Sequence, residues 1–140
     1  MKKVLVFGAF DGLHEGHVEF FKQAKKHGTH LTVVVGRDST VARVKNHSPK
    51  YSEQERLEQV KKHELVDEAR LGNEGNDPYN IILEIGPAVI CLGYDQIHFV
   101  GKLADRLHKW GLNIEIKRMK PHKPKQYKSS LLNKKEDARR

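Results

Sequence analysis

Short apolar runs alternate with helix-forming stretches along this chain, and that alternation limits the possible folds more than any other feature. The apolar runs predict strands at residues 4–7, 31–35, 69–71, 88–92 and 113–117. Helices are predicted between them, at about residues 16–26, 52–63, 78–85 and 99–110. Strands and helices that alternate at this spacing form βαβ units with a parallel sheet, covered by helices on both faces. We therefore expect a single α/β domain of three layers.

Local signals support the helix boundaries. Ser52 and Glu55 have the spacing of a capping box, which opens the second predicted helix. Asp77 before Pro78 predicts an N-cap followed by proline at the first helical position. Gly111 is expected to end the last helix.

The architecture itself predicts where a ligand binds. In open parallel sheets, ligands occupy the crevice outside the carboxyl ends of the strands, at the point where the strand order reverses. Three polar segments follow predicted strands: residues 8–17, 36–45 and 93–96. We expect these segments to meet and form the site.

The first of these segments carries two histidines, His14 and His17, at the mouth of a predicted helix. A spacing of three residues places both imidazoles on the same face of the first turn. The free N–H groups and the dipole of that turn already favour an anion. The imidazoles would add hydrogen bonds to phosphate oxygens, with charge if they are protonated. The pair therefore predicts a phosphate-binding element.

Other phosphate or metal motifs do not fit this segment. GAFDGLHEGH lacks the GxGxxG of a dinucleotide fold and the Gly-Lys-Ser/Thr of a P-loop. A helical zinc pair would usually read HxxxH with further ligands, so no protein metal site is expected. Two ordinary surface or core histidines remain the alternative, which the position between a buried strand and a helix disfavours.

The same ten residues resemble the (T/A)FDxxHxGH signature of the HxGH nucleotidylyltransferase superfamily. The resemblance extends to about Leu132, leaving residues 133–140 as a basic tail. It implies a Rossmann-like sheet and transfer of a nucleoside monophosphate from ATP or CTP to a phosphorylated acceptor, with release of pyrophosphate. His14 and His17 would contact the triphosphate and stabilise its charge. Ala9, Phe10, Asp11 and Gly16 would belong to the nucleotide pocket.

The resemblance implies further site residues later in the chain. Lys45 matches a lysine that reaches substrate phosphates and takes part in catalysis, and Arg56 matches an arginine that helps to position a phosphate. Gly93 and Asp95 match a GxD element at the nucleotide or acceptor site. Nucleotide-binding residues near the C-terminus would be Tyr127, Ser129 and Ser130. Many bacterial relatives have an arginine just before these serines; here lysines replace it, with Lys123 and Lys128 as the candidates.

Two subfamilies compete for the substrates. Three short sequences resemble those of archaeal-type FAD synthases, which adenylate FMN: RDSTV at residues 37–41, LGYDQ at 92–96 and YKSS at 127–130. The alternatives are CTP:glycerol-3-phosphate cytidylyltransferases and other enzymes of cell-envelope precursor synthesis. Tyr94, Phe99 or Tyr127 could cover a flavin ring. The resemblance also implies Mg²⁺ carried with ATP, and a homodimer.

Charge and composition bound the remaining possibilities. The net charge of +8 resides in residues 117–140, which carry ten Lys and Arg against two acidic residues, while the preceding residues sum to zero. That segment keeps open a nucleic-acid-binding module as an alternative of another class. The single cysteine, Cys91, excludes an intrachain disulfide and is expected to be inert in the core. With no apolar stretch of membrane-spanning length, we expect a cytoplasmic protein without membrane contact.

Overall fold

A computed structural model describes residues 2–73, 77–94, 96 and 100–121 of the chain. Within these residues, five strands and five helices follow one another. In chain order they are β1 (Lys3–Gly8), α1 (Glu15–Lys25), β2 (His30–Val35), α2 (Asp38–Lys45), α3 (Glu53–Lys61), β3 (Glu68–Leu71), α4 (Asn80–Ile85), β4 (Val89–Leu92), α5 (Val100–Lys109) and β5 (Glu115–Arg118).

The strands form one parallel sheet in the order β3-β2-β1-β4-β5. Val4 of β1 lies opposite Leu31 of β2 on one side and opposite Val89 of β4 on the other. The chain therefore builds outward from β1 in both directions, and the strand order reverses at this central strand. This confirms the predicted α/β fold, and the reversal places the expected crevice at the carboxyl end of β1.

Two apolar layers cover the two faces of the sheet. One contains Val4 and Val6 with Phe21 of α1, and the other contains Leu5 with Ile82 of α4. All five of these side chains are completely buried. Strands buried on both faces read as unbroken apolar runs, which is why the sequence located β1, β2 and β4 within a residue or so.

Two helical segments differ from expectation. The sequence analysis treated residues 36–45 only as a polar segment, whereas most of it is helix α2, Asp38–Lys45. Its first N–H is capped by Glu53 Oε1 of α3, 2.8 Å from the nitrogen of Asp38. Helix α4 begins at Asn80 instead of Pro78. Asp77 Oδ1 accepts from the N–H of Tyr79 at 2.9 Å in a turn that precedes the helix.

Other local predictions hold. The capping box is present in both directions: Ser52 Oγ accepts from Glu55 N–H, and Glu55 Oε1 accepts from Ser52 N–H. Cys91 is completely buried in β4, and burial raises the pKa of its thiol to about 11, so the thiol is inert at neutral pH. None of the helices in the described ranges combines the length and apolar character needed to cross a membrane. The boundary at Leu132 and the tail beyond it lie outside the described residues.

Candidate active site

A cavity of about 1300 Å³ opens at the carboxyl ends of β1, β2 and β4. All three of the predicted polar segments contribute to its walls. The first supplies His14 and His17, the second Lys45, and the third Gly93 and Tyr94. The architecture therefore located the crevice correctly.

The two histidines form a capping box at the start of α1. His14 is the N-cap residue, and its Nδ1 accepts from Gly16 N–H at 3.0 Å. The backbone N–H of His14 donates to His17 Nδ1 at 3.3 Å, and the two rings stack with centroids 3.9 Å apart. Because each δ nitrogen accepts a backbone hydrogen bond, the proton of each neutral ring resides on Nε2. The helix terminus thus fixes both tautomers and leaves two Nε2–H donors for a ligand.

His17 is a neutral donor at physiological pH. Burial, with smaller contributions from the neighbouring His14 and Lys45, lowers the pKa of His17 to about 4. The sequence left open whether the imidazoles would bring charge to a phosphate. With this lowered pKa, His17 can offer a phosphate a hydrogen bond but no charge at neutral pH.

This pKa predicts a specific pH dependence. Over about pH 6 to 8, His17 should stay neutral and its ionisation should not affect turnover. Its folded-state pKa of about 4 lies below the ordinary 6.5, so the unfolded chain takes up the proton first. The stability contributed by neutral His17 is therefore complete above pH 6.5 and is lost as the pH falls to about 4. Nuclear magnetic resonance of the His17 ring should show this midpoint; a midpoint near 6.5 would contradict the assignment.

Asparagine at position 14 separates capping from ligand binding. Asn is among the best N-cap residues, so His14→Asn should leave the free energy of unfolding within about 0.5 kcal/mol of wild type, whereas His14→Ala should cost about 1 kcal/mol. Both variants lack the imidazole Nε2–H of His14, so both should lose about 10²-fold in kcat. Urea unfolding and steady-state turnover measure the two effects. Wild-type turnover by the Asn variant would remove His14 from the ligand-binding donors.

Phe10 supports the histidine pair from below. It adopts a left-handed backbone conformation (φ 52°), unusual for an aromatic residue, and its side chain is buried. Its ring meets His17 edge-on, with centroids 5.3 Å apart. The ring also lies so close to Gly8 that a Cβ there would come within 2.7 Å of Phe10 Cζ. Strained backbone of this kind concentrates at functional sites, and here it accompanies the contact between the Phe10 ring and His17.

Asp11 fastens a second loop to this turn. Its two carboxylate oxygens accept from the backbone N–H groups of Lys50 and Tyr51, at 2.6 and 2.8 Å. Burial would raise the pKa of Asp11, but these two hydrogen bonds and the charges of Arg56 and Lys45 lower it overall. Asp11 lines the cavity, yet its oxygens are committed to backbone groups. Its observed role is to hold the loop before α3.

Arg56 does not reach the cavity. Its side chain is completely buried, and its guanidinium donates to the carbonyl oxygens of Ala9 (2.9 Å), Gly36 (2.8 Å) and Tyr51 (3.0 Å). It also pairs with Asp38 at 2.7 Å. Direct binding of an acceptor phosphate, which the resemblance implied, does not fit a guanidinium buried in this way. Arg56 instead ties together the segments that follow β1 and β2 and the one that precedes α3.

Two lysines bring positive charge to the cavity, one predicted and one missed. Lys45 lines it from the last turn of α2. Lys120 lines it from the segment after β5, where Gln23 of α1 holds its backbone. Gln23 Nε2 donates to Lys120 O at 3.0 Å, and Lys120 N–H donates to Gln23 Oε1 at 2.8 Å. The two residues are separated by 97 in sequence number, so no local pattern could indicate the contact.

The remaining predicted residues divide into two groups. Ala9, Gly16 and Gly93 line the cavity, and a Cβ at Gly16 would come within 2.8 Å of His14 Cε1, so glycine is needed there. The others lie outside the described residues, and their roles stay predictions: Asp95, Phe99, Lys123, Tyr127, Lys128, Ser129 and Ser130.

The described residues offer no protein cage for a metal ion. Among them, no group of three or more His, Cys, Asp or Glu side chains has the geometry to hold one.

Several known proteins resemble this chain over most of its length. FAD synthase of Methanobrevibacter smithii is 45% identical over 125 residues, which cover 87% of this chain and 81% of that protein. FAD synthase of Thermoplasma volcanium is 38% identical over 135 residues, covering 96% and 94%. A crystal structure described as the lipopolysaccharide core biosynthesis protein from Thermoplasma volcanium superposes with a TM-score of 0.81 at 39% identity, covering 87% and 98%.

The family model for cytidylyltransferase-like proteins matches residues 5–135, nearly the whole chain. That span includes the sheet, the histidine pair and all the described walls of the cavity. With a parallel sheet that reverses at β1 and an HxGH element at its carboxyl end, the chain belongs to the cytidylyltransferase-like family.

Proposed function

We propose that this protein is a nucleotidyltransferase that moves AMP from ATP to the phosphate of FMN, giving FAD and pyrophosphate. The observation that carries the proposal is the pair of Nε2–H donors from His14 and His17, fixed at the N-terminus of α1 inside the cavity. The FAD synthases that resemble this chain over most of its length supply the identity of the substrates.

The reaction requires the protein to align the acceptor phosphate with the α-phosphate of ATP and to stabilise the charge that develops on the leaving pyrophosphate. A phosphate oxygen of FMN attacks the α-phosphorus of ATP, and the bond from that phosphorus to the oxygen bridging to the β-phosphate breaks. The electron pair leaves with pyrophosphate, so negative charge grows on the leaving oxygens. The imidazole donors of His14 and His17, with the free N–H groups of the first turn of α1, stabilise that charge. No protein nucleophile is needed, because the acceptor phosphate supplies its own oxygen.

Enzymes of this kind need a divalent metal ion, and we propose Mg²⁺ entering with the triphosphate. It would neutralise phosphate charge when bound, without a carboxylate cage from the described residues. Lys45 and Lys120, which both line the cavity, would add point charges that help to hold the acceptor and leaving phosphates in line.

We place the acceptor against the apolar part of the cavity lining, which includes Val34, Val41, Val44 and Pro78. Burying the isoalloxazine ring of FMN against these apolar side chains would stabilise the bound acceptor. Glycerol 3-phosphate has no comparable apolar surface, so the wall favours FMN over the cytidylyltransferase alternative. Tyr94 is half exposed and lines the cavity next to Gly93.

A test of substrate identity pairs each nucleotide with each acceptor. The protein is incubated with Mg²⁺, ATP or CTP, and FMN or glycerol 3-phosphate, and pyrophosphate release is followed. We expect turnover with ATP and FMN. Turnover only with CTP and glycerol 3-phosphate would favour a role in cell-envelope precursor synthesis, the field in which one structural neighbour is named.

We also propose that the protein acts in the cytoplasm, which would supply ATP and FMN, and that it forms a homodimer. Nucleic-acid binding is the alternative of another class. A nucleic-acid-binding role would depend on residues 117–140, of which only 117–121 are described. Binding to duplex DNA that weakens steeply with added salt would support that role.

A further inference from the structure

The turn that follows β4 is closed on itself and fastened to β1. Gln96 N–H donates to Gly93 O at 3.1 Å, and Gly93 N–H donates to Gln96 Oε1 at 3.1 Å. Gln96 Nε2 also lies 3.4 Å from Phe7 O, at the end of β1. Gly93, Tyr94 and Gln96 all line the cavity, so these residues form part of its wall.

Arg118, the last residue of β5, donates hydrogen bonds to the backbone of the same turn. Its Nη1 donates to Gly93 O at 2.7 Å and to Gln96 O at 2.9 Å, with Tyr94 O at 3.3 Å. One guanidinium nitrogen thus faces three carbonyl oxygens that lie within four residues of chain. Unlike Arg56, Arg118 is exposed, so its removal would leave no buried cavity.

A cation shared by three carbonyls has a clear physical effect. Three carbonyl oxygens that converge on one point repel one another, and a charged donor between them offsets that repulsion. Without the donor, the same carbonyls would turn to water and the turn would sample several conformations. A wall that must be ordered during binding lowers affinity, because the ordering free energy is subtracted from the binding free energy.

We propose that Arg118 is a positioning residue that holds the Gly93–Gln96 turn in the shape that receives the nucleotide. The proposal rests on the proposed function, because the nucleotide side of the cavity is identified through it. Arg118 acts through the turn: its Nη1 is committed to the backbone of the cavity wall. This assigns a function to the C-terminal end of β5, which no sequence motif indicated.

The test compares Arg118→Ala with Arg118→Lys and with Lys117→Ala as a matched control. Lys117 is the adjacent residue of the same strand, and its ammonium lies 3.7 Å from Glu115. For Arg118→Ala we expect KM for ATP to rise about tenfold, with kcat and KM for FMN within about twofold of wild type. Arg118→Lys should recover part of the loss, and Lys117→Ala should behave as wild type. Thermal unfolding of all three should stay within about 3 °C of wild type.

Amide hydrogen exchange provides a readout independent of activity. In Arg118→Ala, a peptide covering residues 93–96 should exchange faster, while one from β1 should not change. A rise in KM for ATP with unchanged exchange, matched by an equal loss of pyrophosphate affinity, would make Arg118 a direct phosphate ligand and overturn the proposal. Unchanged KM for ATP in a preparation whose wild type makes FAD would also overturn it. If wild type makes no FAD, the proposed function fails, and the exchange result alone decides whether Arg118 holds the turn.

Discussion

Replacement of His17 by alanine is expected to lower kcat by about 10²- to 10³-fold, the usual cost of one lost transition-state donor. KM for ATP should change less than kcat, because the hydrogen bond strengthens as charge develops on the leaving pyrophosphate. The donor is the Nε2–H of a neutral ring, fixed by the hydrogen bond from His14 N–H to Nδ1. Steady-state kinetics over a range of ATP concentrations separates the two parameters.

Two controls accompany this variant. His27→Ala changes a histidine just beyond the other end of α1 and should keep wild-type turnover. His17→Gln retains an acceptor for the backbone N–H of His14, so its stability should follow wild type. If His17→Ala keeps the wild-type kcat, then His17 has no catalytic role and the mechanism fails at its first step.

Replacement of Arg56 by methionine is expected to lower the free energy of unfolding by about 3–5 kcal/mol. Methionine fills part of the volume but leaves the carbonyls of Ala9, Gly36 and Tyr51 without their donor. Each buried acceptor that loses its partner costs about 1–3 kcal/mol. Urea unfolding measures the loss, with Arg43→Met on the exposed face of α2 as the control.

The Arg56 variant also decides between the two roles assigned to this residue. A clamp predicts lost stability whether or not substrate is present. A phosphate ligand predicts wild-type stability with weakened substrate binding, and that outcome would contradict the buried arrangement seen here.

Local sequence patterns predicted those parts of the fold that local interactions determine. The unbroken apolar runs of β1 and β4 indicated strands buried on both faces. The Ser52–Glu55 box contains both of its partners within four residues, so the start of α3 was visible. Helix α2 was missed because the carboxylate that caps it belongs to Glu53, 15 residues further on.

The site residues that the sequence identified also depend on local contacts, and those it missed depend on long-range contacts. The HxGH pair was found because its capping, tautomers and donors all arise within four residues. The buried contacts of Arg56 were not visible in the sequence, because they depend on three segments that meet only in the folded chain. Lys120 and Arg118 were missed for a related reason: their contacts join α1 or the turn after β4 to the end of β5.

The most direct test of the central claim follows the phosphorus atoms of ATP. The protein is incubated with Mg²⁺, FMN and ATP labelled at either the α- or the γ-phosphate, and the products are separated by chromatography. Nucleotidyl transfer predicts that the α label appears in FAD and the γ label in pyrophosphate. A γ label on the flavin, or no α label in it, would contradict the proposed reaction.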